Sequence, residues 1–390
     1  MRPVYLAGDN IITSLGTSTA ANFEALKRGE IGIKLSSDLN LFPTPLPLSL
    51  VNSKILEEKF QQVLKKFQQK NDSSAFTRLE KLLILSIHDA AKEDPDILRD
   101  PKTLFVLSTT KGNIDLLEKR NKELFPPNRI YLWELARVIG DFFGFVTTPL
   151  IISNACISGI MALMTASRYL GSGMYNHAVV SGGDILSEFV ISGFQSFQSI
   201  SPTPCRPYDA GRDGLSLGEG AGTMVLTTDI EKISGDPVRI TGASTSNDAN
   251  HISGPSRTGE ELGLAMHKAM QEASLTPADI GFINAHGTAT PFNDEMESKA
   301  IAVAGLVEVP VNSFKGYWGH TLGAAGMIES IASVQALKDQ ILIRSAGFES
   351  LGVTEPIRVI ADNEERKIKS CLKSASGFGG CNAAIIFEKI

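Results

Sequence analysis

The sequence predicts an α/β protein made of two similar halves. Two observations carry this expectation. First, short β-branched, apolar runs alternate with longer stretches of helical periodicity. Strand candidates in the first part are Thr103–Leu107, Pro149–Ile152, His177–Val180 and Gly222–Leu226. In the second they are Val238–Thr241, Phe282–Asn284, Val309–Asn312, Cys371–Ala375 and Ala383–Glu388. Helical spacing is present at Ser18–Arg28, Phe76–Lys92, Ile157–Leu170, Gly259–Glu272, Asp294–Ala304 and Ala325–Lys338. Second, the opening pattern repeats. Val4-Tyr5-Leu6-Ala7-Gly8 is echoed by Val238-Arg239-Ile240-Thr241-Gly242. Each is followed by a strand ending in a small, threonine-bearing turn, Leu107-Ser108-Thr109-Thr110 and Asn284-Ala285-His286-Gly287-Thr288. Polar and turn-forming residues cluster at Thr228–Pro237, which sets the expected halves at 1–232 and 233–390.

Bulk composition narrows the class. The chain has 390 residues, 43% of them hydrophobic, enough for a large buried core. Its net charge of −6 argues against non-specific nucleic-acid binding, which needs a basic surface. The N-terminal apolar run is broken by Asp9 and Asn10, so it reads as a first strand and not as an export signal. No apolar run is long enough for a transmembrane helix, so no membrane association is expected. The cysteines at 156, 205, 371 and 381 form no Cys-x-x-Cys pair and no disulfide framework, as expected of a reducing, cytoplasmic setting. Lys54–Asp72 mixes Lys, Gln and Glu with apolar residues and reads either as an amphipathic surface segment or, in preference, as a solvated face.

Four segments carry candidate chemistry. In Ser153-Asn154-Ala155-Cys156-Ile157-Ser158-Gly159 an apolar strand runs through small residues into a helix. Cys156 then sits at the first helical turn, where unpaired N–H groups and the helix dipole favour a thiolate. From these residues alone it is either a nucleophile or a small cysteine packed under a helix. His286 follows a strand and precedes Gly287, Thr288 and Thr290, whose hydroxyls suit a polar linker such as a pantetheine arm. Taken alone, a histidine after a strand is more often structural. His320 lies in Lys315-Gly316-Tyr317-Trp318-Gly319-His320-Thr321-Leu322-Gly323, ahead of small residues that permit tight helix packing. Lys315, five residues earlier, is either a surface lysine or a charge brought near the histidines. Ser376-Gly377-Phe378-Gly379-Gly380-Cys381-Asn382 is a glycine-rich loop beside a strand, suited to a backbone oxyanion donor or a mobile gate. It lacks the Lys-Ser/Thr of a phosphate-binding loop.

Together, in this order and spacing, the four segments resemble the β-ketoacyl–acyl-carrier-protein synthases, the two-histidine elongating ketosynthases of the thiolase superfamily. Cys205-Arg206-Pro207-Tyr208-Asp209, Gly211-Arg212-Asp213-Gly214 and Gly218-Glu219-Gly220-Ala221-Gly222 add to the resemblance, as do Asp294, Glu297 and Glu329. The resemblance implies a thiolase-like fold of five αβαβα layers and a decarboxylative Claisen condensation. Cys156 matches the acyl-accepting cysteine. His286 and His320 match the pair that holds the malonyl thioester and promotes its decarboxylation. Lys315 matches the lysine that supports their hydrogen bonding and charge. Thr288 and Thr290 match the pantetheine contacts. Phe378 matches the aromatic gate, with its N–H joining that of Cys156 in an oxyanion hole. No metal or soluble cofactor is implied, since the substrates ride on the 4'-phosphopantetheine of an acyl carrier protein.

The resemblance also implies a homodimer, or a heterodimer with a ketosynthase-like partner, and Arg78, Arg206 and Lys111 are candidate contacts for the carrier protein. Met161, Met164 and Phe194 are expected to shape the acyl pocket. Two departures stand out. Ser374 and Ser376 occupy positions where elongating members usually carry an asparagine and a second phenylalanine. With the Lys54–Asp72 stretch, which is unlike the family's usual N-terminal region, they favour a specialised synthase, for polyketide or aryl-polyene chains, over ordinary fatty-acid elongation. A cysteine thioester hydrolase is the alternative from another class. A non-catalytic partner subunit is a third reading, which Cys156 and both histidines argue against.

Overall fold

The computed structural model describes residues 1–37, 42–67, 72–248 and 254–390. Ten strands form one large sheet. They are β1 (Val4–Ile12), β2 (Thr103–Ser108), β3 (Leu150–Ile152), β4 (His177–Asp184), β5 (Gly220–Thr227), β6 (Val238–Asn247), β7 (Phe282–Asn284), β8 (Val311–Asn312), β9 (Ser370–Gly377) and β10 (Cys381–Lys389). The order across the sheet is β8-β7-β9-β10-β6-β1-β5-β4-β2-β3. The order is mirrored about its centre. On one side β1–β5 and β5–β4 are antiparallel while β4–β2 and β2–β3 are parallel. On the other, β6–β10 and β10–β9 are antiparallel while β9–β7 and β7–β8 are parallel. The two sides meet where Val4 faces Ile240 and Tyr5 faces Arg239, inside the two opening motifs.

The helices are α1 (Thr19–Lys27), α2 (Ser53–Lys66), α3 (Arg78–Ala90), α4 (Leu132–Phe143), α5 (Ser158–Gly171), α6 (Glu188–Ser196), α7 (Glu260–Ala273), α8 (Pro291–Val303), α9 (Lys315–Trp318) and α10 (Ala325–Asp339). Helix α3 covers the outer face of β1, β4 and β5, and α7 covers β6 and β10. Helices α5 and α10 pack on each other and on strands of both sides, giving the layering αβαβα. Position explains composition. From Ala325 to Val334 every residue of α10 is buried, as a helix enclosed on all sides requires. It approaches α5 backbone to backbone. A Cβ on Gly159 would stand 2.5 Å from the Met327 nitrogen, and one on Gly326 would stand 2.8 Å from the Ile160 nitrogen.

One expectation is corrected in this layer. The Lys54–Asp72 stretch is not simply a solvated face. Its first part forms α2, and Leu56, Phe60, Val63 and Leu64 recur at helical spacing and are buried. Residues 68–71 of that stretch lie outside the described residues. Helices α4 and α6 were also not anticipated. Several strands run longer than their apolar cores, β6 most of all, which continues through polar residues to Asn247. Among the described residues no helix is long and apolar enough to cross a membrane.

Candidate active site

Cys156 sits on a tight turn between β3 and α5. Ala155 takes a left-handed φ of 43°, unusual for a residue with a Cβ. Ser158 closes the turn, accepting from the Asn154 N–H at 2.8 Å and donating to the Ala155 carbonyl at 2.7 Å. The helix then starts, with Cys156 just ahead of it. His286 follows β7, and its loop hangs on one carboxylate. Glu297 on α8 accepts from the His286 and Gly287 N–H groups, both at 2.7 Å, and from the Tyr208 hydroxyl and Ser374. Gly287 has φ 44°, and a Cβ there would lie 2.5 Å from that of Ser313. His320 lies between α9 and α10. It is fixed by its own N–H, which donates to the Ser216 carbonyl at 2.7 Å, and by its carbonyl, which accepts from Gly218 at 3.0 Å. Asp184, at the end of β4, accepts from Gly323 and from Thr109 and so ties the loop after His320 to the turn after β2.

These elements bring three reactive groups together. His320 Nε2 lies 3.0 Å from Cys156 Sγ. The two imidazoles meet edge to face with centroids 5.2 Å apart. One ligand atom from each of Cys156, His286 and His320 falls within 4.8 Å of the others. All three are buried at the floor of a cavity of about 330 Å³. Its walls include Phe194, Thr288, Thr290, Ser376 and Phe378. The hydroxyls of Thr288 and Thr290 are 2.8 Å apart. Phe378, 40% exposed, packs against Phe194 and Phe197 at the mouth.

The electrostatics depart from the sequence expectation at Cys156. Burial pushes its thiol up to about 12, Cys381 nearby pushes the same way, and Lys315 only partly opposes them. Desolvation thus works against the thiolate that a helix terminus favours. Both histidines are held well below the ordinary imidazole value, chiefly by burial and then by Lys315. Neither Nδ1 has a hydrogen-bond partner among the described residues. No group at Nδ1 sets either tautomer, and at His320 the Cys156 thiol meets Nε2, which accepts from it when the ring carries its proton on Nδ1.

Lys315 is fully buried and is not a surface lysine. It reaches His286 through the backbone, donating to its carbonyl at 2.7 Å, and pairs with Glu329 at 2.7 Å. Met161 and Met164 do not line this cavity, whereas Phe194 does. Ser374 donates to Glu297, and Ser376 donates to Asn382 at 2.7 Å while lining the cavity. Arg78 is committed to an ion pair with buried Glu219 and to the Val51 carbonyl, so it is not free for docking. Lys111 is exposed and Arg206 half-buried. Sequence reasoning missed Asp184 and Lys373. Lys373 is a charged residue inside a strand otherwise made of small and apolar residues, which was the available signal, whereas Asp184 ends its strand as a turn residue would.

Comparison with known proteins agrees with this arrangement. The profile "Beta-ketoacyl synthase, N-terminal domain" matches residues 1–231, and "Beta-ketoacyl synthase, C-terminal domain" matches residues 238–349. A 3-oxoacyl-[acyl-carrier-protein] synthase 2 of Vibrio cholerae is 35% identical over 61% of this chain and 62% of its own length. The chain thus spans about three fifths of the length of this relative and of its Vibrio harveyi counterpart. A putative mitochondrial 3-oxoacyl-[acyl-carrier-protein] synthase of Schizosaccharomyces pombe is 28% identical over 100% of this chain and 99% of its own. Among solved structures, the ishigamide ketosynthase/chain length factor superposes with a TM-score of 0.88 at 23% identity, covering 100% of this chain and 99% of that one. A ketosynthase in complex with its chain length factor from Xenorhabdus doucetiae gives 0.85 at 23% identity, covering 100% and 98%. Two profiles that cover most of the chain, over a mirrored five-layer fold, establish that the chain belongs to the β-ketoacyl synthase family.

Proposed function

We propose that the protein catalyses the decarboxylative Claisen condensation of an acyl group held on Cys156 with a malonyl unit on acyl carrier protein. The observation that carries this reading is the 3.0 Å contact between Cys156 Sγ and His320 Nε2, with His286 edge-on to the same ring. As Sγ attacks the incoming thioester, its proton passes to His320 Nε2 and then to the departing pantetheine thiolate. This suits a thiol that burial pushes up. The malonyl thioester next loses carbon dioxide, and the enolate oxygen is received by Nε2–H of the two neutral imidazoles. The enolate carbon attacks the acyl carbonyl, the C–S bond to Cys156 breaks, Sγ departs as a thiolate that takes up one proton from solvent to regain the thiol, and the β-ketoacyl product leaves on its carrier.

In this reading the backbone N–H groups of Cys156 and Phe378 form the oxyanion hole. Gly377 supports it, since a Cβ there would stand 3.0 Å from the Cys156 nitrogen. Thr288 and Thr290 take the pantetheine arm, and Phe378 is the gate. The substrates arrive on the 4'-phosphopantetheine of acyl carrier protein, and the chemistry asks for no other cofactor. Residues 1–232 supply the nucleophile and 233–390 supply the histidines and gate. Strand β3, at the sheet edge and half-buried, supports pairing with a second subunit. The partner is a second copy or a ketosynthase-like subunit, and the ketosynthase/chain length factor pairs among the structural neighbours favour keeping the latter in view. Four unpaired thiols suit a cytoplasmic location. Ser376 in the cavity wall supports an acyl group other than a plain saturated chain, as in polyketide or aryl-polyene synthesis.

The test is incubation with acyl- and malonyl-carrier proteins, with mass spectrometry of the Cys156 peptide and of the products. An acyl adduct on Cys156 and a β-ketoacyl product are expected, and both should vanish in Cys156→Ala. Free acid without β-keto product would replace condensation with hydrolysis. Condensation surviving Cys156→Ala would remove the nucleophile assignment.

A further inference from the structure

We propose that Lys373 is a positioning residue for this reaction: with Lys315 it clamps the backbone at 284–286 and shares Glu329, keeping a positive charge behind the two imidazoles that decarboxylation requires. The inference rests on the condensation reading and goes beyond it. Lys373 lies within β9, in register with Asn284 of β7, and is fully buried. A lysine in that place is costly to bury and needs several partners. Its Nζ lies 2.7 Å from Glu329 Oε2 and donates to the Ser374 carbonyl at 2.7 Å and the Ala285 carbonyl at 3.3 Å. Lys315 Nζ holds the other oxygen of Glu329 at 2.7 Å and the His286 carbonyl at 2.7 Å. Two ammonium groups thus bracket one carboxylate, and both grip consecutive carbonyls of the segment that carries His286.

A single lysine would neutralise Glu329. The second is surplus to that pair. The charged and titratable groups facing Lys373 are Glu329 on α10, Lys315 on α9, Glu297 on α8, and His286 and His320. Glu297 is already engaged by four donors from the His286 loop and its surroundings. Part of the Lys373 charge reaches both imidazoles, adding to burial and to Lys315. It opposes a proton on either ring, which keeps both as neutral donors, and it favours negative charge on an oxygen bound in front of them. Burial draws the Lys373 ammonium down to about 8, with Glu329 opposing. The charge is present below that pH and is lost as pH rises through it, so the rate should fall on the alkaline side.

The test measures malonyl-carrier-protein decarboxylation and β-ketoacyl formation against pH for the unaltered protein and for Lys373→Met. Thermal melting serves as the folding control. The unaltered protein should lose kcat as pH rises through about 8 and level off about tenfold lower, at the rate of the uncharged lysine. Lys373→Met should lower neutral-pH kcat about tenfold, one pK unit's worth of interaction, with KM unchanged and no break near that pH. A folded variant with unreduced kcat or an unmoved alkaline limb overturns the proposal. If the variant does not fold, the unaltered protein decides, since a profile without a break in that region overturns it as well. Absence of β-ketoacyl product from the unaltered protein brings down the condensation reading and this inference together. Product formation with a flat profile brings down the role of Lys373 alone.

Discussion

Gly159→Ala tests whether the contact between α5 and α10 sets the distance between Cys156 and His320. The added Cβ would stand 2.5 Å from the Met327 nitrogen and 3.0 Å from the Gly326 carbonyl carbon. Both obstacles are backbone, so no side chain can swing aside. Ordinary contact begins at 3.4 Å, so the helices must part by about 0.9 Å. Cys156 leads directly into α5, and His320 precedes α10 by five residues. The separation is therefore passed to the Sγ–Nε2 contact, now 3.0 Å, and weakens the path for the thiol proton. Overpacking of this kind costs about 1–3 kcal/mol of stability. A misplacement near 1 Å between reacting groups costs about 100-fold in rate. Urea unfolding reads the first, and rapid-quench acylation of Cys156 followed by mass spectrometry reads the second. A variant that loses stability but acylates at the original rate would show that the helix contact supports the fold without setting the site. Unchanged stability and unchanged acylation together would refute the close approach itself.

Three further outcomes are expected. Because burial holds the Cys156 thiol at about 12, alkylation by iodoacetamide should accelerate about tenfold per pH unit across the neutral and mildly alkaline range, and a plateau there would reveal a preformed thiolate. Thr290→Val removes the 2.8 Å hydroxyl pair at the cavity wall and should raise KM for the carrier-bound substrate by about 2- to 10-fold with kcat little changed, the value of one neutral hydrogen bond; a selective loss of kcat would contradict a binding role. Asp115 is raised to about 6, first by burial and then by Glu118. Its folded form holds a proton more tightly than the unfolded chain, so its contribution is favourable at acid pH and is lost as pH rises through that value. Asp115→Asn should stabilise the fold by about 1–2 kcal/mol at neutral pH and not at acid pH. Equal unfolding midpoints for the two proteins at neutral pH would sink that account.

The residues of the candidate site were legible because each leaves a local trace. Cys156, His286 and His320 each sit where an apolar run gives way to Gly, Ala, Ser or Thr, which is what close approach around a reactive atom demands. The mirrored architecture was legible in the two opening motifs, which meet in the sheet at Val4 and Ile240. What escaped depends on contacts distant in sequence. Lys373 and Glu329 are 44 positions apart, and nothing local announces that they share one buried site. Asp184 ends an apolar strand like an ordinary turn residue, yet its carboxylate is enclosed by Thr109, Thr110 and Gly323. The upward push on the Cys156 thiol escaped for the same reason. Its position ahead of a helix can be read from seven residues, whereas its desolvation comes from the whole cavity floor. The apolar stripe of α2 was readable as an amphipathic segment but outweighed by its lysines and glutamines, since the apolar positions make up only one face.

Cys156 and the two imidazoles come from opposite sides of the exposed connection around 234–236. On the proposed reading neither stretch of chain holds a complete set of reacting groups, so the site is like a lock that needs two keys. A truncation or a nick that lets the stretches part leaves no partial catalyst behind. Conversely, turnover regained on mixing the two fragments would count correctly docked pairs, making the reaction its own reporter of assembly.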